Sequence, residues 1–100
     1  MKKLAVRPQA LLELEESAHY YEGEQAGLGD RFSDMVETAF MKIRETPGIG
    51  SKRYVDLVPG LHMVVLATFP FLIFYFDHID HIEVVRVIHA KRDLPNELRE

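Results

Sequence analysis

The chain has no cysteine. That excludes a disulfide framework and any thiolate-ligated metal site, and it fits a reducing compartment. It also lacks a long apolar run. The most hydrophobic stretch, Met63 to Phe76, is broken by Thr68 and Pro70 and is too short to cross a bilayer as a helix. At the N-terminus, Met1-Lys2-Lys3-Leu4 carries the charge of a secretory signal, but Arg7 and Pro8 interrupt the apolar core that should follow. A soluble, cytoplasmic protein without a membrane role is the expectation. There is no basic excess either: the formal net charge is −4. General nucleic-acid binders rely on a positive face for phosphate contacts, so direct DNA or RNA binding is not the expected primary function. No repeat, low-complexity tract or linker divides the 100 residues, which read as one domain spanning 1–100.

What is present has two halves. Lys2 to Val6 is a short extended candidate. From Pro8, a residue suited to a first helical turn, the pattern becomes helical, with Leu11, Leu14, Ala18 and Tyr21 on one stripe. Gly27 and Gly29 mark a break. Leu28, Phe32, Met35, Val36, Ala39, Phe40 and Ile43 then form a second stripe, which ends at Glu45-Thr46-Pro47-Gly48 because Pro47 cannot continue a helix. These segments predict a helical hairpin. After residue 50 the composition turns β-branched and aromatic. Arg53–Leu57 is a candidate short strand, Pro59-Gly60 a turn, and Leu61–Phe69, Phe71–Phe76 and Ile82–His89 are the main strands. The short connection Asp77-His78-Ile79-Asp80 predicts an antiparallel hairpin. The expected fold is α+β, β-α-α-β-β-β(-β), with the helical hairpin packed on one face of a small antiparallel sheet. Asp93 to Glu100 reads as a polar tail with room for one helical turn.

Several clusters carry chemistry in principle. Asp77, His78, Asp80 and His81 offer ligands that suit zinc or manganese. Four residues of one hairpin loop rarely converge on a centre, however, and Asp in a turn more commonly bonds the local backbone, so no metal is assigned. No cofactor is implied. His19, with Tyr20 and Tyr21 beside it, has no sequence-defined catalytic partner. The aromatic run Phe69 to Phe76 lacks the interleaved cations of base-stacking sheets, and its expected role is core packing. Lys52 and Arg53, with Tyr54, form one small basic group, and Lys91 and Arg92 form another. Arg86, Lys91, Arg92, Lys52 and Arg53 are the candidate partner-binding residues. His89 and Arg92 are the only catalytic candidates, His89 as acid or base and Arg92 as a holder of phosphate or carboxylate.

Four motifs occur together in order: Thr46-Pro47-x-x-Gly50, Gly60-Leu61, Phe69-Pro70-Phe71-Leu72-Ile73 with Tyr75, and Arg86-Val87-Ile88-His89-x-x-Arg92-Asp93-Leu94. With the preceding helices they resemble the RelE/ParE superfamily of type II toxin–antitoxin toxins, the ParE-like branch above all. The resemblance implies a small toxin that inhibits DNA gyrase by binding and is neutralised by a cognate antitoxin, with any DNA contact made through the antitoxin. One alternative is a RelE-type ribosome-dependent mRNA interferase, an endoribonuclease. Such an enzyme resembles its relatives in carrying basic residues on the central strands. Here those positions read His62-Met63-Val64 and Phe71-Leu72, and only Arg92 has a counterpart. The balance leans away from an enzyme. A weakly toxic or inactive member that retains antitoxin binding is the other alternative.

Overall fold

The computed structural model describes residues 1–99. The chain runs β1 (Lys3–Val6), α1 (Pro8–Glu24), α2 (Leu28–Glu45), a 3-10 turn (Pro47–Ile49), β2 (His62–Val65), β3 (Phe71–Asp77), β4 (His81–His89) and a short α3 (Leu94–Glu97). The two long helices form the expected hairpin, and the turn between them has two local causes. Gly27 adopts φ 87°, a left-handed conformation that disfavours a side chain. At Gly29 a Cβ would lie 2.6 Å from the Ala18 carbonyl oxygen, so only glycine lets the helices approach this closely. Glu22 then closes the turn, its carboxylate accepting from the N–H groups of Gly27 at 2.9 Å and Gly29 at 3.0 Å.

The four strands lie in the order β1-β4-β3-β2. β2, β3 and β4 form the antiparallel meander that their short connections predict. The sheet as a whole is mixed, because β1 pairs with β4 in parallel, Lys3 opposite His81 through Val6 opposite Val84. A parallel pair needs a crossover, and here everything from α1 to β3 supplies it. No local signal in a four-residue strand reveals such a distant partner.

Other sequence expectations are also corrected. The segment Arg53–Leu57 is not a strand. It coils into successive turns, with Val55 N–H donating to the Lys52 carbonyl and Leu57 and Val58 N–H to that of Tyr54, each at 3.1 Å. Leu61–Phe69 contributes only His62–Val65 to the sheet. The chain turns away at Thr68, a β-branched residue held at φ 75°, just before Pro70. On α1, Leu11 is 47% exposed, and the inward stripe is Ala10, Leu14, Ala18 and Tyr21. A helical repeat of 3.6 accommodates either stripe, and the face that α1 turns to the rest of the core chose between them.

Both faces of the sheet are covered, which explains why β3 is apolar throughout. The helical hairpin packs Phe32, Val36, Phe40 and Ile43 against Phe71, Ile73, Tyr75, Ile82, Val84 and Val87. Tyr21, Phe32, Phe69 and Phe71 meet there as edge-on and tilted rings 4.9 to 6.2 Å apart, geometries that favour aromatic contact beyond area burial. The opposite face, Met63, Leu72, Phe74, Val85 and Ile88, is sealed by Leu61, Tyr54 and Val58 from the coiled segment and by Leu94 and Leu98. The C-terminal tail is therefore docked, and its helical turn lies at Leu94–Glu97. The last residue of the predicted tail, Glu100, lies outside the described residues.

Candidate functional site

β4 is longer than β1, and this mismatch organises the C-terminal end of the molecule. Arg7 N–H still donates to the Val84 carbonyl at 2.9 Å, after which α1 begins and β4 loses its parallel neighbour. The register against β3 also shifts here. Phe74 opposes Arg86 while Tyr75 opposes Val84, so Val85 is the extra residue of a bulge. Glu13 of α1 takes over the edge. Its Oε1 accepts from Val87 N–H at 2.8 Å, and its Oε2 accepts from Arg86 Nε and Nη2 at 2.9 and 2.7 Å. Arg86 extends the network to α3, donating to the Glu97 carbonyl oxygen at 2.6 Å and to Glu97 Oε1 at 2.7 Å.

Burial alone would lower the Arg86 pKa, but the hydrogen bonds to Glu13 and Glu97 outweigh it and the pKa is raised. The same bond from Arg86 holds the Glu97 carboxyl below the usual carboxylate range. Arg86, proposed from sequence as a partner contact, thus has its guanidinium committed inside the fold, joining α1, β4 and α3.

The other candidates lie around this clamp. Arg92 is mostly exposed, 66% by side chain, and its one ion pair among the described residues is to Glu97 Oε2 at 3.2 Å. Lys91 is exposed and pairs with no carboxylate among the described residues. His89 is half-buried, its ring edge-on to Phe71 at 5.1 Å, and its Nδ1 accepts from Lys91 N–H at 3.1 Å. Glu16, Ser17, Tyr20, Tyr21, Phe71, His89 and Arg92 line a shallow depression of about 410 Å³. A narrower cleft of about 140 Å³ beside it brings Glu13, Glu16 and Glu97 against His89 and Arg92. Arg86 and Arg92 therefore face carboxylates, and Lys91 does not.

Lys52 and Arg53 are exposed in the coiled segment, Arg53 with its guanidinium 5.7 Å from the Tyr54 ring centre. Tyr54 and Val58 share an apolar cluster with Leu94 and Leu98 on the face away from the helical hairpin, whereas Arg92 lines the depression beside α1. No hydrogen bond or ion pair among the described residues joins Lys52 or Arg53 to Lys91 or Arg92.

Two features were not legible in sequence. The first is a largely apolar groove of about 310 Å³ between α2 and β2, lined by Met35, Ala39, Ile43, Ile49, Met63 and Val65 among others. β2 is the outer strand there. Met63 exchanges hydrogen bonds with Ser51 at 2.8 and 2.9 Å, and Leu66 N–H donates to the Phe71 carbonyl at 2.9 Å. By the alternation of an antiparallel ladder, the Val65 N–H and C=O then point outward from the sheet, beside a side chain that is 66% exposed. Helix and strand periodicities signal each wall separately but not the gap between them.

The second feature is Tyr75, fully buried, whose hydroxyl donates to the Pro47 carbonyl at 2.7 Å and accepts from Gly50 N–H at 3.0 Å. Burial pushes its phenol pKa up, since the ionised form would be poorly solvated. His62 stacks on its ring at 5.1 Å with its Nδ1 buried and unpartnered. The Thr46-Pro47-x-x-Gly50 motif is thereby tied to the β3 tyrosine.

Comparison with known proteins gives this arrangement a context. The family model described as the ParE toxin of the type II toxin–antitoxin system, parDE, matches residues 4–94. No curated protein gives a significant match. Among solved structures, a chain of the chromosomal ParDE toxin–antitoxin system from P. aeruginosa is similar at a TM-score of 0.66 and 17% identity, covering 91% of this chain and 98% of that one. At that identity the likeness establishes the shared fold, and the family model carries the assignment. No described helix is long and apolar enough to cross a membrane. The chain belongs to the ParE toxin family of type II toxin–antitoxin systems.

Proposed function

We propose that this ParE-family protein is a cytoplasmic toxin that acts by inhibitory binding to DNA gyrase and is neutralised by a cognate antitoxin. The observation that carries the binding reading is the commitment of Arg86 and His89 to contacts within the fold. RNA cleavage through the 2′-hydroxyl needs cations free to meet phosphate charge, together with a proton acceptor and a donor. Here Arg86 is committed to Glu13 and Glu97, Glu97 also pairs with Arg92, and His89 Nδ1 accepts from a backbone N–H. What remains for a phosphodiester is Lys91 and the exposed Arg92, too few groups for that set. A protein partner needs no such set. Lys91 and Arg92 at the exit of β4, and Lys52 and Arg53 in the coiled segment, are the exposed basic groups available to it, and Arg86 holds the strand exit that presents the first two.

The groove between α2 and β2 supports the antitoxin half of the proposal. A partner segment that adds a strand at Val65 gains backbone hydrogen bonds, and its apolar side chains enter the groove. Induction of the toxin in cells without antitoxin is the decisive experiment. Expected are a DNA-damage response and loss of gyrase supercoiling by the purified protein, both abolished by the antitoxin. Ribosome-dependent mRNA cuts, or unaffected growth, would overturn the proposal.

A further inference from the structure

The β3–β4 hairpin brings together three groups that no toxin role requires. His78 and His81 flank the two-residue turn, with His78 N–H donating to the His81 carbonyl at 2.9 Å, so their side chains emerge on one face of the sheet. Their rings stack at 4.5 Å with 23° between planes. Glu83 is two residues beyond His81 on β4 and returns to that face, where its Oε1 lies 2.9 Å from His78 Nε2. One ligand-type atom from each of His78, His81 and Glu83 lies within 4.8 Å of the others. In a tetrahedral zinc site, bonds of about 2.0–2.1 Å put neighbouring ligand atoms about 3.3 Å apart. The cluster thus needs only small side-chain rotations to close on an ion.

Supporting groups are already in place on both sides. Asp80 Oδ1 lies 2.8 Å from His81 Nδ1, which as donor to a carboxylate leaves Nε2 with its lone pair for a metal. Arg7 holds the other oxygen of Glu83 through Nε at 2.9 Å and Nη2 at 2.8 Å, which orients Oε1 toward the histidines. These second contacts are of the kind that fix ligand orientation in metalloproteins. β4 spans nine residues, so the cluster and His89 are about 26 Å apart at 3.3 Å per residue.

We propose that His78, His81 and Glu83 form a binding site for a divalent transition ion of the zinc type, with a fourth position open to water. An ion there would displace the proton that His78 Nε2 shares with Glu83, and it would link the hairpin to the junction of β1 and α1 through Arg7. It would stabilise the end of the sheet remote from Lys91 and Arg92.

Tag-free protein titrated with Zn²⁺ alone, in competition with a chromogenic chelator, tests this. One saturable equivalent is expected, lost in the His78→Asn/His81→Asn double variant and weakened about 10–100-fold in Asp80→Asn, the range seen when an outer-shell partner is removed. Cobalt bound to the unaltered protein should show the visible absorption of a tetrahedral site, a readout that does not depend on how well the variants fold. Zinc binding that survives in the folded double variant overturns the proposal. So does the absence of a saturable equivalent, or cobalt bound only in an octahedral environment.

Discussion

At the scale of single residues, two arginines six positions apart have opposite environments. The Arg86 side chain is 17% exposed and the Glu13 side chain 14%, so their ion pair is largely shielded from solvent, and Glu13 also accepts from the Val87 N–H, beyond the end of β1. Removing one partner of such a pair leaves the other charge poorly solvated. Arg86→Ala should cost about 2–3 kcal/mol, discounted from a fully buried pair, and the urea midpoint at neutral pH checks it. Arg86→Lys should recover only part, since an ammonium cannot reproduce the forked contact to Glu13 and Glu97. Arg92, two-thirds exposed with one long contact to Glu97, sits where surface ion pairs contribute little. Arg92→Ala should leave thermal stability within about 0.5 kcal/mol. It should weaken binding to gyrase or antitoxin in a titration of the purified partners. A stability loss in place of a binding loss would make Arg92 a structural residue.

At the scale of elements, the decisive feature is where pairing stops. β1 is four residues long against nine for β4, and β2 is four against seven for β3. Each mismatch exposes strand edge, and the fold treats the two differently. On β4, Glu13 caps the edge at Val87 and is itself held by Arg86. On β2, Ser51 closes Met63 and leaves Val65 open beside the apolar groove. Val65→Lys places a charge on that edge, a substitution that discourages strand addition. The side chain is exposed, so stability should change little. Antitoxin affinity should fall at least about tenfold, measured by calorimetry on the purified pair. The basic exit of β4, far from the groove in sequence, offers a second surface, so gyrase inhibition and antitoxin binding are expected to respond to different substitutions.

At the scale of the whole molecule, charge pairs tie the sheet to its coverings and make stability pH-dependent. The hydrogen bond from His78 first, and then the Arg7 contact, holds the Glu83 carboxyl below its ordinary value of 4.5; Arg86 does the same for Glu97. A carboxylate with a depressed folded-state pKa takes up its proton more readily when unfolded. Its stabilisation is therefore present above about pH 4.5 and is lost as pH falls through the lower folded value. Urea midpoints should hold from about pH 7 to about pH 5 and then decline toward about pH 3. Glu83→Gln should flatten part of that decline. An unchanged decline in both Glu83→Gln and Glu97→Gln would assign the acid sensitivity to other groups.

Much of this protein was legible in its sequence because the signals are local. Pro8, Gly27, Pro47 and the period of α2 delimit the helical hairpin, and the β-branched and aromatic runs locate β3 and β4. The ordered motifs from Thr46 to Leu94 point to the toxin family. Tertiary structure decided what depends on the meeting of distant segments. The choice of Ala10 over Leu11 as a core residue follows from the face that α1 turns to the assembled core. The parallel placement of β1 follows from a crossover that no four-residue strand encodes by itself. The coiling of Arg53–Leu57 over the second face of the sheet follows from an apolar surface that only the assembled strands present. Arg86 could be read as a charged residue near a strand end, but its commitment to Glu13 and Glu97 required α1 and α3 to arrive from opposite ends of the chain. Periodicity reports which way a side chain faces along its own element, whereas the partner it meets is set by long-range packing.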